Sequence, residues 1–209
     1  MEHNIKLHMG TILVPGAHPM SAFIVHPYSD ARPADRQWCH DQLGIFSTTL
    51  ADVDQYHAYC VGDTDYATAL RVYWQLVGDM IIVEHDIVPT EQQVRELIAC
   101  PHPVCTVPYL LYPESTGRTD VKPSVFVDGV PLFDGDYQTP RFGDFSGLGL
   151  VKLGAPFRIS ARKPDRTHWR AVDAEVNRLV SAQHYRWHIH WPLVEHYHGP
   201  QVKESTHAR

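Results

Sequence analysis

Residues 79–86 read Asp-Met-Ile-Ile-Val-Glu-His-Asp, and this stretch decides the fold. Its unbroken apolar run from Met80 to Val83 is typical of a central parallel strand that is covered on both faces. Because side chains alternate along a strand, Glu84 and Asp86 are expected on the same side where the strand ends. Ligands of such sheets bind beyond the carboxyl ends of the strands, and paired carboxylates suit a hard cation. The segment therefore predicts a Mg²⁺ or Mn²⁺ site containing Glu84 and Asp86.

The pattern on either side of this strand predicts an α/β fold with a Rossmann-like, mostly parallel central sheet and flanking helices. Upstream, apolar residues at helical spacing predict a helix over residues 65–77. Downstream, Thr90 and Gln93 form a capping box at the start of another helix. Asp128-Gly129 is a strong turn signal and predicts an antiparallel hairpin appended to the sheet.

Length and composition agree with one globular unit. The chain has 209 residues, of which 44 % are hydrophobic and 20 % are charged. We expect a single domain over residues 1–209, with flexible ends at 1–9 and 200–209. The sequence shows neither an apolar run long enough to span a membrane nor a signal-peptide pattern, so a cytoplasmic protein is expected. The net charge of −6 argues against broad binding to a polyanion.

Histidine is the unusual component, with 15 residues in the chain. Several of these lie close together near the C-terminus: His184, His188, His190, His196 and His198. Imidazole is the commonest metal ligand in proteins. A carboxylate pair with one imidazole is a common donor set for a divalent cation that holds a diphosphate. We therefore expect one of the late histidines to complete the metal site with Asp86.

These features resemble the small glycosyltransferases of the GT-A fold that are found in bacteria and their phages. In that fold a DxD-type motif at the end of a central strand holds the metal that binds the diphosphate of a nucleotide sugar. Glu84-His85-Asp86 occupies this place, and the resemblance continues through the segment CPHPVCTVPY after the next helix. It implies a nucleotide-sugar-dependent, hexosyltransferase-like enzyme with Mn²⁺ or Mg²⁺ as cofactor and a nucleotide-diphosphate sugar as donor.

The same resemblance implies which histidine binds the metal. Many GT-A enzymes use a C-terminal histidine, which in the glycogenin-like group stands in an HxxGxxK pattern. This chain reads HYHG from His196, with the lysine one place late at Lys203. His196 is therefore the first choice, and His190 and His198 are the reserves.

Further roles follow from the resemblance. Inverting GT-A enzymes often carry a catalytic acid at the start of the acceptor-side helix, and Asp173 is the matching position, with Asp144 and Asp165 as rivals. Tyr109 and Trp169 are candidates for stacking against the substrate. The nucleotide is expected near the first strand, at Pro15, Gly16, Asp63 and Asp65. The acceptor hydroxyl stays open among a glycan, a small molecule, a protein and a modified base of phage DNA.

A metal-dependent hydrolase is the alternative enzyme class. Such enzymes use His-x-His pairs, with bound water as the nucleophile and a carboxylate such as Asp86 as a further ligand. Two pairs have this spacing here: His188 with His190, and His196 with His198.

A zinc-stabilised binding module is the alternative outside enzymes. It would be built on Cys100, His102 and Cys105, whose spacing is permissive for zinc. Replacing both cysteines by serine separates this hypothesis from the others, because the module would then lose its metal and unfold.

Overall fold

The structure is a computed structural model that describes residues 22–28, 48–60, 64–111, 122–132, 141–165 and 171–196. Five of the predicted site residues lie outside these ranges: Pro15, Gly16, Asp63, Trp169 and His198. The predicted flexible ends at 1–9 and 200–209 also lie outside the described residues.

Short strands make up most of the described elements. They are β1 (Ala22–Tyr28), β2 (Asp54–Tyr59), β3 (Asp79–Val83), β4 (Ile87–Val88), β5 (Val104–Thr106), β6 (Leu110–Leu111), β7 (Lys122–Pro123), β8 (Val125–Val127), β9 (Val130–Pro131), β10 (Arg141–Gly143), β11 (Phe145–Ser146), β12 (Leu150–Leu153), β13 (Trp187–Ile189) and β14 (Glu195–His196). The helices are α1 (Asp65–Tyr73), α2 (Glu91–Ala99), α3 (Ala155–Ser160) and α4 (Val172–Ala182).

A seven-stranded sheet forms the centre, in the order β10-β13-β5-β12-β3-β1-β2. The pairs β1–β2, β1–β3 and β5–β13 are parallel, whereas β12 runs against β3 and β5, and β10 runs against β13. Five of the seven strands therefore run in one direction, so the sheet is mostly parallel, as the sequence predicts. Parallel neighbours need a long crossover connection, usually a helix. β12 instead follows β11 after a short connection, without a helix between them. It enters the middle of the sheet in the opposite direction.

Both faces of the sheet are buried, which confirms the interpretation of the apolar run. Met80 and Ile82 pack with residues of α1, α3 and α4 in one buried cluster. Ile81 and Val83 pack with α2 in a second cluster on the opposite face. Alternating residues of one continuous apolar strand thus enter two different cores.

The capping box at the start of α2 is confirmed. The Thr90 hydroxyl accepts a hydrogen bond from the backbone N–H of Gln93, and the Gln93 side chain accepts one from the backbone N–H of Thr90. Two of the amide groups that a helix start leaves unpaired are thereby satisfied. α2 consequently begins where the sequence predicts.

The prediction for α1 was too long, because the helix ends at Tyr73 rather than at residue 77. Buried Arg158 of α3 caps this helix end from outside. Its guanidinium donates hydrogen bonds to carbonyl oxygens at the end of α1, after it and at the end of β12, namely those of Tyr73, Trp74, Leu76, Gly78 and Leu153. These bonds satisfy carbonyl oxygens that the end of a helix leaves without an intrahelical partner. Burial lowers the pKa of Arg158 to about 10, so the guanidinium stays charged at neutral pH.

A smaller sheet lies beside the central one. In it β8 pairs antiparallel with β9 and with β11. Asp128 (φ 51°) and Gly129 (φ 74°) form the tight turn between β8 and β9, and both adopt the left-handed backbone that such turns need. Across the described residues, α-helices are too short or too polar to cross a membrane.

Candidate active site

The end of β3 is hydrogen-bonded to the chain just before β12. The backbone N–H of Glu84 donates to the carbonyl of Gly149 (2.9 Å), so strand pairing continues one residue beyond β3. The chain then turns, because the N–H of Ile87 donates back to the carbonyl of Glu84 (3.1 Å). This turn projects the Glu84-His85-Asp86 segment from the carboxyl end of the central strand.

β14 brings His196 to this turn. β14 pairs antiparallel with β4, and the register sets His196 opposite Ile87. His196 Nε2 lies 3.1 Å from Oδ2 of Asp86, although the two residues are 110 positions apart in the chain. The first-choice histidine of the sequence and Asp86 are thus direct neighbours.

The hydrogen bonds of His196 define its tautomer. Nδ1 lies 3.0 Å from the carbonyl oxygen of Leu110, which can only accept, so Nδ1 carries a proton. The Asp86 carboxylate is also an acceptor, so at 3.1 Å Nε2 either donates a proton to it as an imidazolium or shares a cation with it. An imidazole fixed by a backbone carbonyl in this way is the usual arrangement of a metal-binding histidine.

Tyr66 of α1 holds the other carboxyl group of the motif. Its hydroxyl donates a 2.6 Å hydrogen bond to Oε1 of Glu84. Burial and the carboxylates of Asp173 and Asp86 raise the pKa of Glu84 well above its ordinary value, although the bond from Tyr66 opposes the shift. Glu84 therefore takes up a proton more readily than a free glutamate does.

Asp173, in the first turn of α4, is the third acid of the group. Burial raises its pKa to about 7, the Asp86 charge adds to the rise, and a backbone hydrogen bond with Leu148 opposes it. The pKa of Asp86 moves the other way. Burial alone would raise it, but the hydrogen bond from His196 and the charge of His85 lower it below its ordinary value. The site thus combines one carboxylate whose pKa is lowered with two carboxyl groups whose pKa values are raised.

Tyr109 forms a wall of the site. Its ring is buried and meets the imidazole of His196 edge to face, with the ring centroids 5.1 Å apart. Gly147 and Gly149 leave the room for it: a Cβ at Gly147 would stand 2.2 Å from the tyrosine hydroxyl, and one at Gly149 would stand 2.6 Å from Cε1. The glycines of the GLGL segment are therefore required by the aromatic ring beside them.

The structure brings together Glu84, Asp86, Asp173, His196 and Tyr109 at this edge of the sheet. Other predicted residues lie elsewhere. Asp65 lies in the first turn of α1, next to Tyr66 in the chain. The rival acids are surface residues in ion pairs, Asp144 with Arg186 and Asp165 with Arg162.

His190 does not accompany His196. Its ring nitrogen lies in a separate group with the ligand atoms of Cys100, Cys105 and His188. The prediction of His190 as a reserve ligand for the Asp86 site is therefore wrong. Strand geometry explains the difference, because β13 pairs with β5 in the main sheet whereas β14 pairs with β4. The His188-x-His190 pair is thereby removed from the hydrolase hypothesis. The binding-module hypothesis also changes, since the ring of His102 stacks on that of His188 and is not a member of the group.

Sequence reasoning missed Tyr66 and the Leu110 carbonyl. Tyr66 lies 18 residues before its partner Glu84, and its position in α1 marks it as half-buried and nothing more. A backbone carbonyl has no sequence signal at all. Both contacts depend on how α1 and β6 lie against the end of β3.

Comparisons with known proteins give information about the fold but not about the chemistry of the site. No protein-family model matches the chain, and no curated protein sequence matches it significantly. Among solved structures, A197 from STIV aligns with a TM-score of 0.55 and 14 % identity, over 84 % of this chain and 86 % of that one.

Two further structures align over most of both chains. The CMP:2-keto-3-deoxy-manno-octonic acid synthetase complexed with CTP gives a TM-score of 0.44 and 11 % identity, over 90 % of this chain and 97 % of the other. A glycosyltransferase involved in the glycosylation of the major capsid of PBCV-1 gives 0.39 and 9 %, over 88 % and 99 %. The likeness to A197 shows a shared fold, whereas these two matches are too distant to carry an argument.

Proposed function

We propose that this chain is a metal-dependent glycosyltransferase that moves a sugar from a nucleotide-diphosphate sugar to a hydroxyl acceptor. One observation carries the proposal: the 3.1 Å contact between Asp86 and His196 at the carboxyl end of the central strand, with Glu84 and Asp173 beside it. Ligands of α/β sheets bind at this edge. The donor set combines carboxylate and imidazole, and a cation held there would serve a diphosphate bound at the same edge.

The carboxylates and imidazole of this site are donors of the kinds that a hard divalent cation binds. Oδ1 of Asp86 is buried and has no hydrogen-bond partner within the described part of the chain. Oδ2 of Asp86 lies 3.1 Å from Nε2 of His196, and the charges of Asp86 and Asp173 help to raise the pKa of Glu84. Mn²⁺ or Mg²⁺ held by Asp86, Glu84 and His196 would satisfy the orphaned oxygen and replace the proton between His196 and Asp86. Such an ion neutralises the charge that develops on a departing diphosphate.

The protein's own groups then have distinct tasks. Tyr66 orients Glu84 through its short hydrogen bond, and the Leu110 carbonyl keeps His196 in the metal-binding tautomer. Asp173 accepts the proton of the acceptor hydroxyl. With a pKa of about 7 it is partly ionised at neutral pH and still basic enough to take up a proton. Proton transfer to a carboxylate suits an inverting reaction.

The remaining contacts are assigned by position. The Tyr109 ring lines the site beside His196 and is suited to contact the sugar. Asp65, next to Tyr66 at the start of α1, is proposed for the nucleotide side together with Pro15, Gly16 and Asp63. Trp169, which precedes α4 in the chain, is proposed for the acceptor side.

Metal binding is tested first. Electron paramagnetic resonance of free Mn²⁺ measures binding to the wild type, to Asp86→Asn and to Asp52→Asn, whose exposed carboxylate pairs with Arg95 at the surface. We expect wild type and Asp52→Asn to bind alike. Asp86→Asn keeps the volume of the side chain but removes its charge, so we expect its Kd to rise at least about 100-fold. Unchanged binding by Asp86→Asn would overturn the proposed metal site.

Substrate binding and turnover follow. UDP-, GDP-, CMP- and dTDP-sugars are screened by thermal shift with Mn²⁺ or with EDTA, and one of them should stabilise the wild type in a Mn²⁺-dependent way. Release of the nucleotide is then measured with a glycan, a small-molecule, a protein and a hydroxylated-DNA acceptor. Asp173→Asn should bind the donor normally and lose at least about 100-fold in transfer rate. The proposal fails if no nucleotide sugar stabilises the protein, or if the sugar is released to water equally fast without any acceptor.

A further inference from the structure

A second cluster of ligand side chains lies apart from the candidate active site. Cys100, Cys105, His188 and His190 each present one ligand atom, and these four atoms all lie within 4.8 Å of one another. Both cysteines are buried free thiols, and both histidines are half-buried. None of the four contributes to the Asp86 site.

The fold brings these residues together from three places. Cys105 on β5 and His188 on β13 are direct register partners in adjacent parallel strands, so their side chains share one face of the sheet. His190 follows two positions later, and its backbone N–H donates to the carbonyl of Thr106 (2.8 Å), which extends the pairing. Cys100 is the C-cap residue of α2 and reaches the same face from the end of that helix.

The distances approach those of a tetrahedral S₂N₂ site. Zn²⁺ with ordinary bond lengths sets sulfur and nitrogen ligands about 3.5 Å apart and two nitrogens about 3.4 Å apart. Here Cys100 Sγ lies 3.4 Å from His188 Nδ1, and His188 Nδ1 lies 3.3 Å from His190 Nε2. The two sulfurs are 2.9 Å apart, whereas tetrahedral zinc needs about 3.8 Å. A modest rotation of the cysteine side chains supplies that difference.

Hydrogen bonds alone satisfy this cluster poorly. Nδ1 of His188 faces both a sulfur and the nitrogen of His190, and it can form a good hydrogen bond with one of them at a time.

The surroundings suit a closed site. The ring of His102 stacks on His188 at 4.2 Å between centroids, and Phe142 packs against both rings. Lys152 donates to the Cys100 carbonyl (2.5 Å) and forms an ion pair with Asp79 (2.9 Å), so this buried lysine is already neutralised. Two thiolates and one Zn²⁺ would add no net charge to the region.

We propose that Cys100, Cys105, His188 and His190 bind one Zn²⁺ ion as a structural site. Two cysteines and two histidines form a common donor set for structural zinc, and the four protein ligands leave no open position for substrate. Soft thiolate ligands also distinguish this site from the carboxylate site at Asp86, which suits Mn²⁺ or Mg²⁺.

Such an ion would cross-link short elements. β13 has three residues and pairs with β5 through two register positions. The Zn²⁺ ion ties β13 to β5 and to the end of α2. The chain then continues from His190 to His196, so the same cross-link anchors the segment that carries His196 into the candidate active site.

Metal content and spectroscopy test the proposal on the full-length chain. The protein is purified under reducing conditions without chelator, and its zinc is measured by mass spectrometry. We expect one Zn²⁺ per chain. Exchange with Co²⁺ should produce the thiolate-to-cobalt charge-transfer band and the intense d–d bands of a tetrahedral site. These bands also report ligation independently of any enzymatic activity.

Matched variants assign the ligands. His190→Gln and Cys105→Ser should raise the Kd for Zn²⁺ at least about 100-fold, with circular dichroism checking that each variant folds. Two controls should keep the metal: His102→Gln, which removes the stacked ring but no ligand, and Cys60→Ser, which removes a described cysteine outside the cluster. If Cys105→Ser does not fold, His190→Gln decides the question, since that side chain is half-buried at the end of its strand.

Three results would overturn the proposal. The first is a chain that takes up no zinc after incubation with excess metal under reducing conditions. The second is a Co²⁺ spectrum without the thiolate band. The third is a mass that lacks two hydrogens under those same conditions, because that result would assign the close cysteines to a disulfide instead.

Discussion

Asp173→Asn is expected to change how the stability of the protein depends on pH. The folded chain raises the pKa of Asp173 to about 7, chiefly by burial, whereas an aspartate in the unfolded chain has a pKa of about 3.9. Between these values the folded state holds a proton that the unfolded state has released. The free energy of unfolding therefore falls as pH rises through this window, and the loss is complete above about pH 7.

The size of the effect follows from the two pKa values. The loss is about 1.4 kcal/mol per pH unit just above pH 5 and levels off around the folded pKa of about 7, so it amounts to about 2.6 kcal/mol between pH 5 and pH 8. The asparagine side chain of the variant carries no charge at any of these pH values and would escape this loss. Relative to wild type, the variant should therefore gain roughly 2–3 kcal/mol of stability at pH 8 compared with pH 5.

Urea unfolding at pH 5 and pH 8 measures the effect, with EDTA present so that no cation neutralises the carboxylates. Glu175→Gln on the same helix is the matched control. Hydrogen bonds from Arg178 lower the pKa of Glu175, so it is ionised throughout this range and its removal should leave the pH dependence of wild type unchanged. Parallel pH profiles for wild type and Asp173→Asn would show that Asp173 ionises as freely as a surface aspartate, and would refute the reasoning.

Three further substitutions test the packing around the site by urea unfolding. Arg158→Ala leaves several buried carbonyls without a donor and should cost about 3–5 kcal/mol, whereas Arg162→Ala on the surface should stay within about 0.5 kcal/mol; equal losses would contradict the anchoring role. Gly149→Ala places a Cβ 2.6 Å from an aromatic carbon and should cost roughly 1–3 kcal/mol, while Gly129→Asn, in open space at φ 74°, should be tolerated. Asn177→Ala removes side-chain hydrogen bonds to a buried indole and a buried peptide group, with an expected loss of about 2–3 kcal/mol; an unchanged unfolding midpoint would contradict this.

Local patterns predicted most of the elements that surround the site. The apolar run of β3 and the capping box of α2 depend on residues within a few positions of one another. Burial on both faces and the reciprocal hydrogen bonds of Thr90 and Gln93 are consequences of those short patterns. The end of α1 was predicted less well, because buried Arg158 bonds its last carbonyls from 82 or more residues away.

The candidate site divides in the same way. The acids at the end of β3 were evident from the sequence, because charges directly after a buried strand need a partner. The choice among the late histidines came from a resemblance, and spacing could not separate His190 from His196. In the structure their strands pair with different neighbours, so one ring meets Asp86 and the other meets two cysteines.

The sequence by itself determined a buried central strand, the acids at its carboxyl end and the helices on either side, because hydrophobic periodicity and capping act over short distances. Tertiary structure alone decided that β12 enters the sheet in the opposite direction, that Tyr66 holds Glu84, and that His196 reaches Asp86 across 110 residues. It also decided that Cys105 and His188 lie side by side. These outcomes depend on strand register and on burial against distant elements, which no local pattern encodes.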